Sequence, residues 1–269
     1  MQCAAAGSSA VRALLAGPER PARLLGTGRA AVYLQVPAGL GEPAGPGVVA
    51  VLTHDAVRLP CGVVLPSTRA ELPLTEIGPV SGGRCVIGNS RVSWDGRDGP
   101  VVIKVVREWA PARVTRADAL TAAVSAARAA LPEYLRGCLP APWGWQTSTD
   151  LLSNPAAAVG SILGRGPGLT PSGDDLLAGF LLGCLAFGRD ATALGSAITA
   201  LAPAQTTALS AALLSYALRG QCIPEAAVLA AALAGRGAAG PAVRSLVDVG
   251  HTSGSAIAFG LLLAAEPRR

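Results

Sequence analysis

Residues 164–185 read GRGPGLTPSGDDLLAGFLLGCL, and this stretch decides how the second half of the chain folds. Its first part has a glycine at every second position from 164 to 168, which allows backbone conformations and close approaches that a side chain would block. Its second part, after Asp175, is an apolar run typical of a buried helix. We therefore predict a glycine-rich turn that opens directly into a core helix.

Hydroxyl groups and carboxylates stand where that helix is predicted to begin. Thr170 precedes a proline and Ser172 precedes a glycine, and either hydroxyl is expected to cap the helix. The N–H groups of a helix start attract anions, whereas the adjacent carboxylates of Asp174 and Asp175 repel them. A bound cation or a protonated group of the ligand is therefore expected to mediate between the carboxylates and an anion.

A second helix start of similar composition follows about eighty residues later. Residues 250–255 read GHTSGS and lead into the apolar segment 256–265. If the two helix starts face one pocket, their partial positive charges add and favour a bound phosphate or carboxylate. His251, one of two histidines in the chain, is the predicted acid or base of that pocket. The alternative is a pair of unrelated caps at opposite ends of the helical region.

Further hydroxyls lie near the start of another predicted helix, at residues 206–219. The spacing from Thr206 to Ser210 places both side chains on one face of a helix, with Thr207 beside them. We expect these hydroxyls to line the same pocket. The competing interpretation is that they bond back to their own helix, as Ser and Thr often do in alanine-rich helices.

Several well-known kinds of site do not fit the two motifs. No Gly-Lys-Ser/Thr follows the glycines, and helical residues rather than a strand precede them, so neither a P-loop nor a dinucleotide fingerprint is indicated. A triad of Ser172, His251 and Asp174 is disfavoured because the chain has no G-x-S-x-G elbow. Asp174 and Asp175 would suit Mg²⁺ in oxygen coordination. Adjacent helical residues diverge by about 100°, so the two acids are expected to have different roles.

The pattern along the chain predicts an α+β protein. From about residue 26 to 107, short β-branched runs alternate with Gly and Pro, and the connections at 88–90 and 95–99 are too short for helical crossovers, so a mainly antiparallel sheet or barrel is expected. Helical periodicity follows. The predicted domains are a β-rich part at 1–110, a helix with a Pro/Trp hinge at 111–150, and an all-helical domain carrying the site at 151–269. Predicted strands span 31–36, 48–52, 63–65, 84–87, 91–94 and 101–106, and predicted helices span 117–131, 155–163, 174–187, 191–201, 206–219, 224–234, 241–249 and 255–265.

Composition excludes some classes of protein. The 22 basic residues, all Arg except Lys104, are scattered rather than gathered into a stripe, so no nucleic-acid partner is expected despite a net charge of +5. Only 13 residues separate Asp175 from Arg189 around the most apolar segment, which is too short for a membrane span. The six cysteines show no C-x-x-C pair, and the first residues do not resemble a signal peptide. These observations favour a cytoplasmic protein with reduced thiols.

The two motifs, Gly-Pro-Gly-Leu-Thr-Pro-Ser-Gly-Asp-Asp and His-Thr-Ser-Gly, resemble a bacterial family typified by the AllH-type subunit of oxamate carbamoyltransferase. The resemblance covers most of the chain, but the β-rich part matches in general character only. It implies a cytoplasmic transferase subunit with partner protein subunits, active in allantoin degradation within purine catabolism, where a carbamoyl group passes between oxamate and phosphate to give carbamoyl phosphate. Carried over to this chain, the family's motif residues are Gly166, Gly168, Thr170, Pro171, Ser172, Gly173, Asp174, Asp175, Thr252, Ser253 and Gly254.

Three hypotheses about function follow. The leading one is a carbamoyltransferase subunit that binds carbamoyl phosphate, phosphate or oxamate between the motifs and stabilises an oxyanion with helix N–H groups. In it, hydroxyls of both motifs bond the ligand, Asp174 or Asp175 orients an amide N–H2 or Mg²⁺, and His251 moves a proton. The second is a stand-alone Mg²⁺-dependent hydrolase. The third is a non-catalytic assembly or regulatory subunit whose motifs bind an effector.

Overall fold

The computed structural model describes residues 1–37, 47–117, 124, 127 and 151–265. The chain divides into two compact units, Met1–Pro111 and Ala112–Arg269. The first unit is built on a β-barrel and the second is mainly helical, so the predicted α+β class is confirmed. Among the described residues, none of the helices has both the length and the apolar character that crossing a membrane requires.

Eight strands close into a barrel in the first unit, in the order β1-β5-β4-β3-β2-β6-β7-β8. β1 pairs in parallel with β8, and β4 pairs in parallel with β5, whereas the other neighbours are antiparallel. Two short helices, α1 and α2, interrupt the strands. The elements are β1 (Gln2–Ser8), α1 (Arg12–Ala16), β2 (Arg20–Thr27), β3 (Ala31–Val36), β4 (Gly47–Leu52), β5 (Gly62–Val64), α2 (Leu74–Ile77), β6 (Cys85–Gly88), β7 (Arg91–Gly96) and β8 (Gly99–Trp109).

The six predicted strands correspond to β3–β8, and the two predicted tight connections are hairpins between β6, β7 and β8. The prediction missed β1 and β2. Strand β1 is rich in alanine, and β2 contains Pro21 and two arginines, so neither has the β-branched composition typical of a strand. The parallel pair β4–β5 also differs from expectation, because its short connection, residues 53–61, contains no helix.

The second unit contains the helices that carry the two motifs. A short antiparallel pair, β9 with β10, also belongs to this unit, so the expectation of an entirely helical second half is wrong in this detail. The predicted helix 117–131 falls almost entirely outside the described residues, as does the Pro/Trp hinge. The elements are β9 (Ala112–Arg113), α3 (Pro155–Ile162), α4 (Ser172–Ala186), α5 (Thr192–Gln205), α6 (Ala208–Ala217), β10 (Gln221–Cys222), α7 (Pro224–Leu233), α8 (Ala239–Val247) and α9 (Ser253–Ala264).

Helices α4 and α9 form the centre of this unit, and small residues let their backbones touch. A Cβ atom on Gly179 would overlap the carbonyl oxygen of Ile257, and one on Gly260 would overlap the carbonyl oxygen of Leu176. Every residue of α4 except Leu185 is buried. Because both helices begin at the same end of the pair, this close packing brings the two motifs side by side.

Candidate functional site

The two motifs, eighty residues apart in sequence, meet through their hydroxyl groups. The Oγ1 atom of Thr170 lies 3.1 Å from the Oγ atom of Ser253, within hydrogen-bond distance. The hydroxyl of Ser172 donates to the Oγ1 atom of Thr252 over 3.0 Å. We call these four residues the hydroxyl cluster. Ser172 is buried and the other three are half-buried, so the cluster lies at the edge of the core.

The hydroxyls do not cap helices in the way that the sequence suggested. The N-cap position of α4 is Pro171, and no side chain makes a capping hydrogen bond there. Thr252 occupies the N-cap position of α9, also without a side-chain capping bond. The prediction that Thr170 or Ser172 caps the helix is therefore wrong, because these hydroxyls bond across to the other motif instead.

A third helix begins beside the same loop. Thr207 is the N-cap of α6, and its Oγ1 atom accepts a hydrogen bond of 3.0 Å from the N–H of Ser210. The same hydroxyl donates to the carbonyl oxygen of Leu169 over 2.5 Å. The starts of α4, α6 and α9 are thus tied to the glycine loop, residues 164–170. Helix N-termini carry partial positive charge, so this arrangement favours a negatively charged group.

The carboxylate of Asp174 holds this arrangement together. Its Oδ1 atom accepts a hydrogen bond of 2.7 Å from the N–H of Gly164, and its Oδ2 atom accepts one from the hydroxyl of Thr206. Burial raises the pKa of Asp174 above its ordinary value, although the bonds from Gly164, Thr206 and Ser210 act in the opposite direction. Asp174 therefore fastens the glycine loop and the α5–α6 connection to α4.

This role for Asp174 predicts a stability effect at a distant position. Replacing Thr206 by Val keeps the shape of the side chain but removes a hydroxyl that donates to a buried carboxylate oxygen of Asp174, which should cost about 1–3 kcal/mol. Urea unfolding followed by circular dichroism measures this loss. As a control, Thr199→Val removes a hydroxyl that only bonds its own helix at Gly195, so its effect should be small. Equal effects of the two substitutions would contradict the assigned role.

The glycine loop adopts the conformations that its composition predicts. Gly164, Gly166 and Gly168 have φ angles of +72°, +118° and +88°, in the region that favours glycine. A Cβ atom on Gly164 would also overlap the carbonyl oxygen of Gln205. Residues 165–168 are exposed, so the loop forms an accessible rim beside the hydroxyl cluster.

Asp175 has a different environment from its neighbour Asp174. The residue is only 6% exposed, and its Oδ2 atom is buried without a hydrogen-bond partner. Burial raises its pKa to about 7, a hydrogen bond from Ser253 lowers it, and the charge of Asp174 raises it further. One acid is thus fully bonded within the fold, and the other retains an unused acceptor near the hydroxyl cluster.

The remaining predicted site residues have more varied positions. Ser210 is buried and interacts with Asp174, whereas His251 is exposed on the turn before α9. Gly173 and Gly254 are buried in the first turns of α4 and α9. The bond between Asp174 and Thr206 was not predicted, and no spacing rule could have indicated it, because the two residues lie 32 positions apart on different elements.

The carboxylates of this site do not belong to a larger group of metal-ligating residues. Across the described ranges, no cluster of three or more His, Cys, Asp or Glu side chains is arranged to hold a metal ion. Both carboxylate oxygens of Asp174 already accept bonds from protein groups. Asp175 retains an unused oxygen, and the role of Mg²⁺ stays a prediction.

Comparison with known proteins agrees with the motifs. The family model described as oxamate carbamoyltransferase subunit AllH matches residues 162–265. The matched segment contains the glycine loop, the hydroxyl cluster and all helices from α4 to α9. No solved structure matches the chain. Over these residues, the chain is similar to the AllH family of oxamate carbamoyltransferase subunits, as its two motifs predicted.

Proposed function

We propose that the chain is a subunit of a carbamoyltransferase and that its hydroxyl cluster binds a small anionic substrate. The observation that carries this proposal is the contact of Thr170 with Ser253 and of Ser172 with Thr252. That contact joins two motifs of a segment similar to oxamate carbamoyltransferase subunits. The start of α6 is tied to the same glycine loop through Thr207, so three helix starts lie near one group of hydroxyl donors, which suits carbamoyl phosphate, phosphate or oxamate.

The proposed reaction moves a carbamoyl group between the nitrogen of oxamate and an oxygen of phosphate. In the direction that gives carbamoyl phosphate, the bond from the carbamoyl carbon to the oxamate nitrogen breaks and a bond to the phosphate oxygen forms. The nitrogen that leaves takes up a proton. Negative charge develops on the carbamoyl oxygen in between, and donors fixed by the fold stabilise such charge most effectively in a site of low water content.

Two parts of this proposal depend on groups outside the hydroxyl cluster. His251 stands on the exposed turn before α9 and is the proposed carrier of the proton. Partner subunits are proposed to complete the enzyme, because the matched family consists of carbamoyltransferase subunits. The stand-alone Mg²⁺-dependent hydrolase differs in one measurable respect, because millimolar EDTA should abolish its ligand binding and should leave that of the carbamoyltransferase subunit intact.

A thermal-shift measurement on the purified chain tests the proposal. Carbamoyl phosphate, phosphate or oxamate at about 100 times its Kd should raise the free energy of unfolding by about 2.7 kcal/mol, which raises Tm by several degrees. The double variant Ser172→Ala/Ser253→Ala should lose this shift, because it removes one donor from each motif.

The control variant for this experiment is Ser196→Ala. The hydroxyl of Ser196 bonds only its own helix, at the carbonyl of Thr192, so the variant should respond to ligand like the unchanged chain. If none of the three ligands shifts Tm, the proposed binding role of this chain is wrong and the regulatory or assembly role is favoured. A shift that survives in the double variant would place the ligand elsewhere.

A further inference from the structure

The unused acceptor of Asp175 needs a partner that the described residues do not supply. A buried carboxylate oxygen without a hydrogen bond is costly, and such groups in native proteins usually bond protein or water. Asp175 is more than nine-tenths buried and its Oδ2 atom has no partner, whereas both oxygens of Asp174 are bonded. The contrast indicates that Asp174 positions other residues of the site, whereas the Oδ2 atom of Asp175 is available to accept a hydrogen bond from a ligand.

The surroundings of Asp175 restrict the chemistry of that partner. The starts of α4, α6 and α9 favour an anion, but the negatively charged carboxylate of Asp175 would repel an anion that had no other group. A cation alone would need further ligands, and both oxygens of Asp174 are occupied. A molecule with an N–H2 group beside an anionic group satisfies both requirements, because the N–H2 donates to Asp175 while the anionic group reaches the hydroxyl cluster.

We infer that Asp175 selects ligands that carry an amide or carbamoyl N–H2 group, and that it rejects ligands of the same shape with a carboxylate in that position. This inference rests on the proposed function and specifies which end of the ligand each motif contacts. The hydroxyl cluster binds the anionic end, and Asp175 accepts a hydrogen bond from the nitrogen. A site that hydrogen-bonds a particular N–H group discriminates strongly against analogues that lack it.

The selection should depend on pH in opposite directions for the two kinds of ligand. Ionised Asp175 accepts from an N–H2 group, whereas its protonated form donates to a carboxylate, and burial brings its pKa to about 7. Few other ionisable side chains lie on the helices packed against α4: α3 and α9 have none, α6 has Tyr216, and α7 has Glu225. The remaining ionisable side chains of the two motifs are Asp174, Arg165 and His251.

Oxamate and oxalate provide the test, because oxalate has nearly the shape of oxamate but carries a negatively charged oxygen in place of the N–H2 group. Isothermal titration of the whole chain at pH 8 should give at least 10-fold tighter binding of oxamate than of oxalate. The preference should narrow at pH 6, as the affinity for oxamate falls and the affinity for oxalate rises. In Asp175→Asn, the side chain can either donate or accept, so the preference at pH 8 should shrink to less than about 3-fold.

A control variant isolates the effect of Asp175. Asp98→Asn changes an exposed turn of the first unit and should keep both the full preference and the opposite pH trends of the two ligands. Equal binding of oxamate and oxalate to the unchanged chain would overturn the selective role of Asp175 while leaving the proposed function standing. Binding of neither ligand would overturn the selective role of Asp175, whereas the proposed function would be overturned only if carbamoyl phosphate and phosphate also failed to bind.

Discussion

Gly260→Val should destabilise the helical unit by about 3 kcal/mol or more. A Cβ atom at this position would overlap the carbonyl oxygen of Leu176 and the backbone nitrogen of Phe180, so the side chain cannot fit unless α9 moves away from α4. Overpacking of a filled core commonly costs about 1–3 kcal/mol, and a clash with backbone leaves no flexible side chain to yield. Urea unfolding followed by helical circular dichroism at 222 nm measures the loss.

The matched control is a helical glycine with open space around it. Gly160 lies in α3, and a Cβ atom there would meet nothing within 4 Å. Gly160→Ala should therefore stabilise the chain by up to about 1 kcal/mol, because alanine favours the helical conformation. The hydroxyl cluster depends on the same packing, so Gly260→Val should also lose the ligand-induced thermal shift. A Gly260→Val variant as stable as the unchanged chain would show that α4 and α9 are not in backbone contact.

Asp175→Asn should make the chain more stable than the unchanged protein at alkaline pH in the absence of ligand. The pKa of Asp175 rises from 3.8 to about 7 on folding, so the folded state binds the proton more tightly than the unfolded state does. This contribution to stability is complete below pH 3.8 and is lost as the pH rises through 7. A shift of about 3 units corresponds to roughly 4 kcal/mol, most of it lost between about pH 4 and pH 8.

Unfolding curves at pH 5 and pH 8 measure this effect. Between these values, the unchanged chain should lose roughly 2 to 3 kcal/mol more stability than Asp175→Asn does. Asp174 also has a raised pKa and contributes a loss of the same sign, but this loss is present in both proteins, so the difference between them reports mainly on Asp175. Asp98→Asn should show the same pH dependence as the unchanged chain. Parallel losses in Asp175→Asn and the unchanged chain would mean that Asp175 is solvated in the folded state.

The predictions for Asp175, on stability and on ligand selection, together imply a site that is maintained at the expense of stability. Removing the charge of Asp175 should strengthen the unliganded fold at pH 8 and weaken the selection of an N–H2 ligand. Such opposite effects are expected where a polar group is buried for binding rather than for folding. A residue with a purely structural role would lower stability when replaced and would leave the ratio of ligand affinities unchanged.

Local sequence patterns predicted most of the fold, because most strands and helices have the residue types and the spacing of apolar residues that are typical of such elements. The segments that form β3 and β4 are short apolar runs that contain several β-branched residues. The helix that includes Asp175 continues as a long apolar segment after a glycine-rich turn. Strands β1 and β2 were missed because barrel closure, rather than residue type, makes them strands. Strand β1 is held between β5 and β8, and this pairing connects positions about 60 and 100 residues away.

The candidate site was predicted in part for a similar reason. Spacing could indicate two helix starts rich in hydroxyls, and the structure brings Thr170 and Ser172 against Ser253 and Thr252. Spacing could not indicate that these hydroxyls bond each other instead of capping their own helices. Spacing predicted different roles for the two adjacent acids but could not say which acid has which role, since that depends on which groups from the α5–α6 connection and α6 reach Asp174.

The meeting of the two motifs has a consequence for the integrity of the polypeptide itself. The turn at residues 235–238 is exposed, and it lies between the segment that supplies Thr170 and the segment that supplies Ser253. A protease that cut this turn would produce two fragments, each holding one of the two motifs that meet in the hydroxyl cluster. If a ligand binds both motifs, as proposed, it would link the two fragments, and a cleaved chain should stay associated longer in the presence of that ligand.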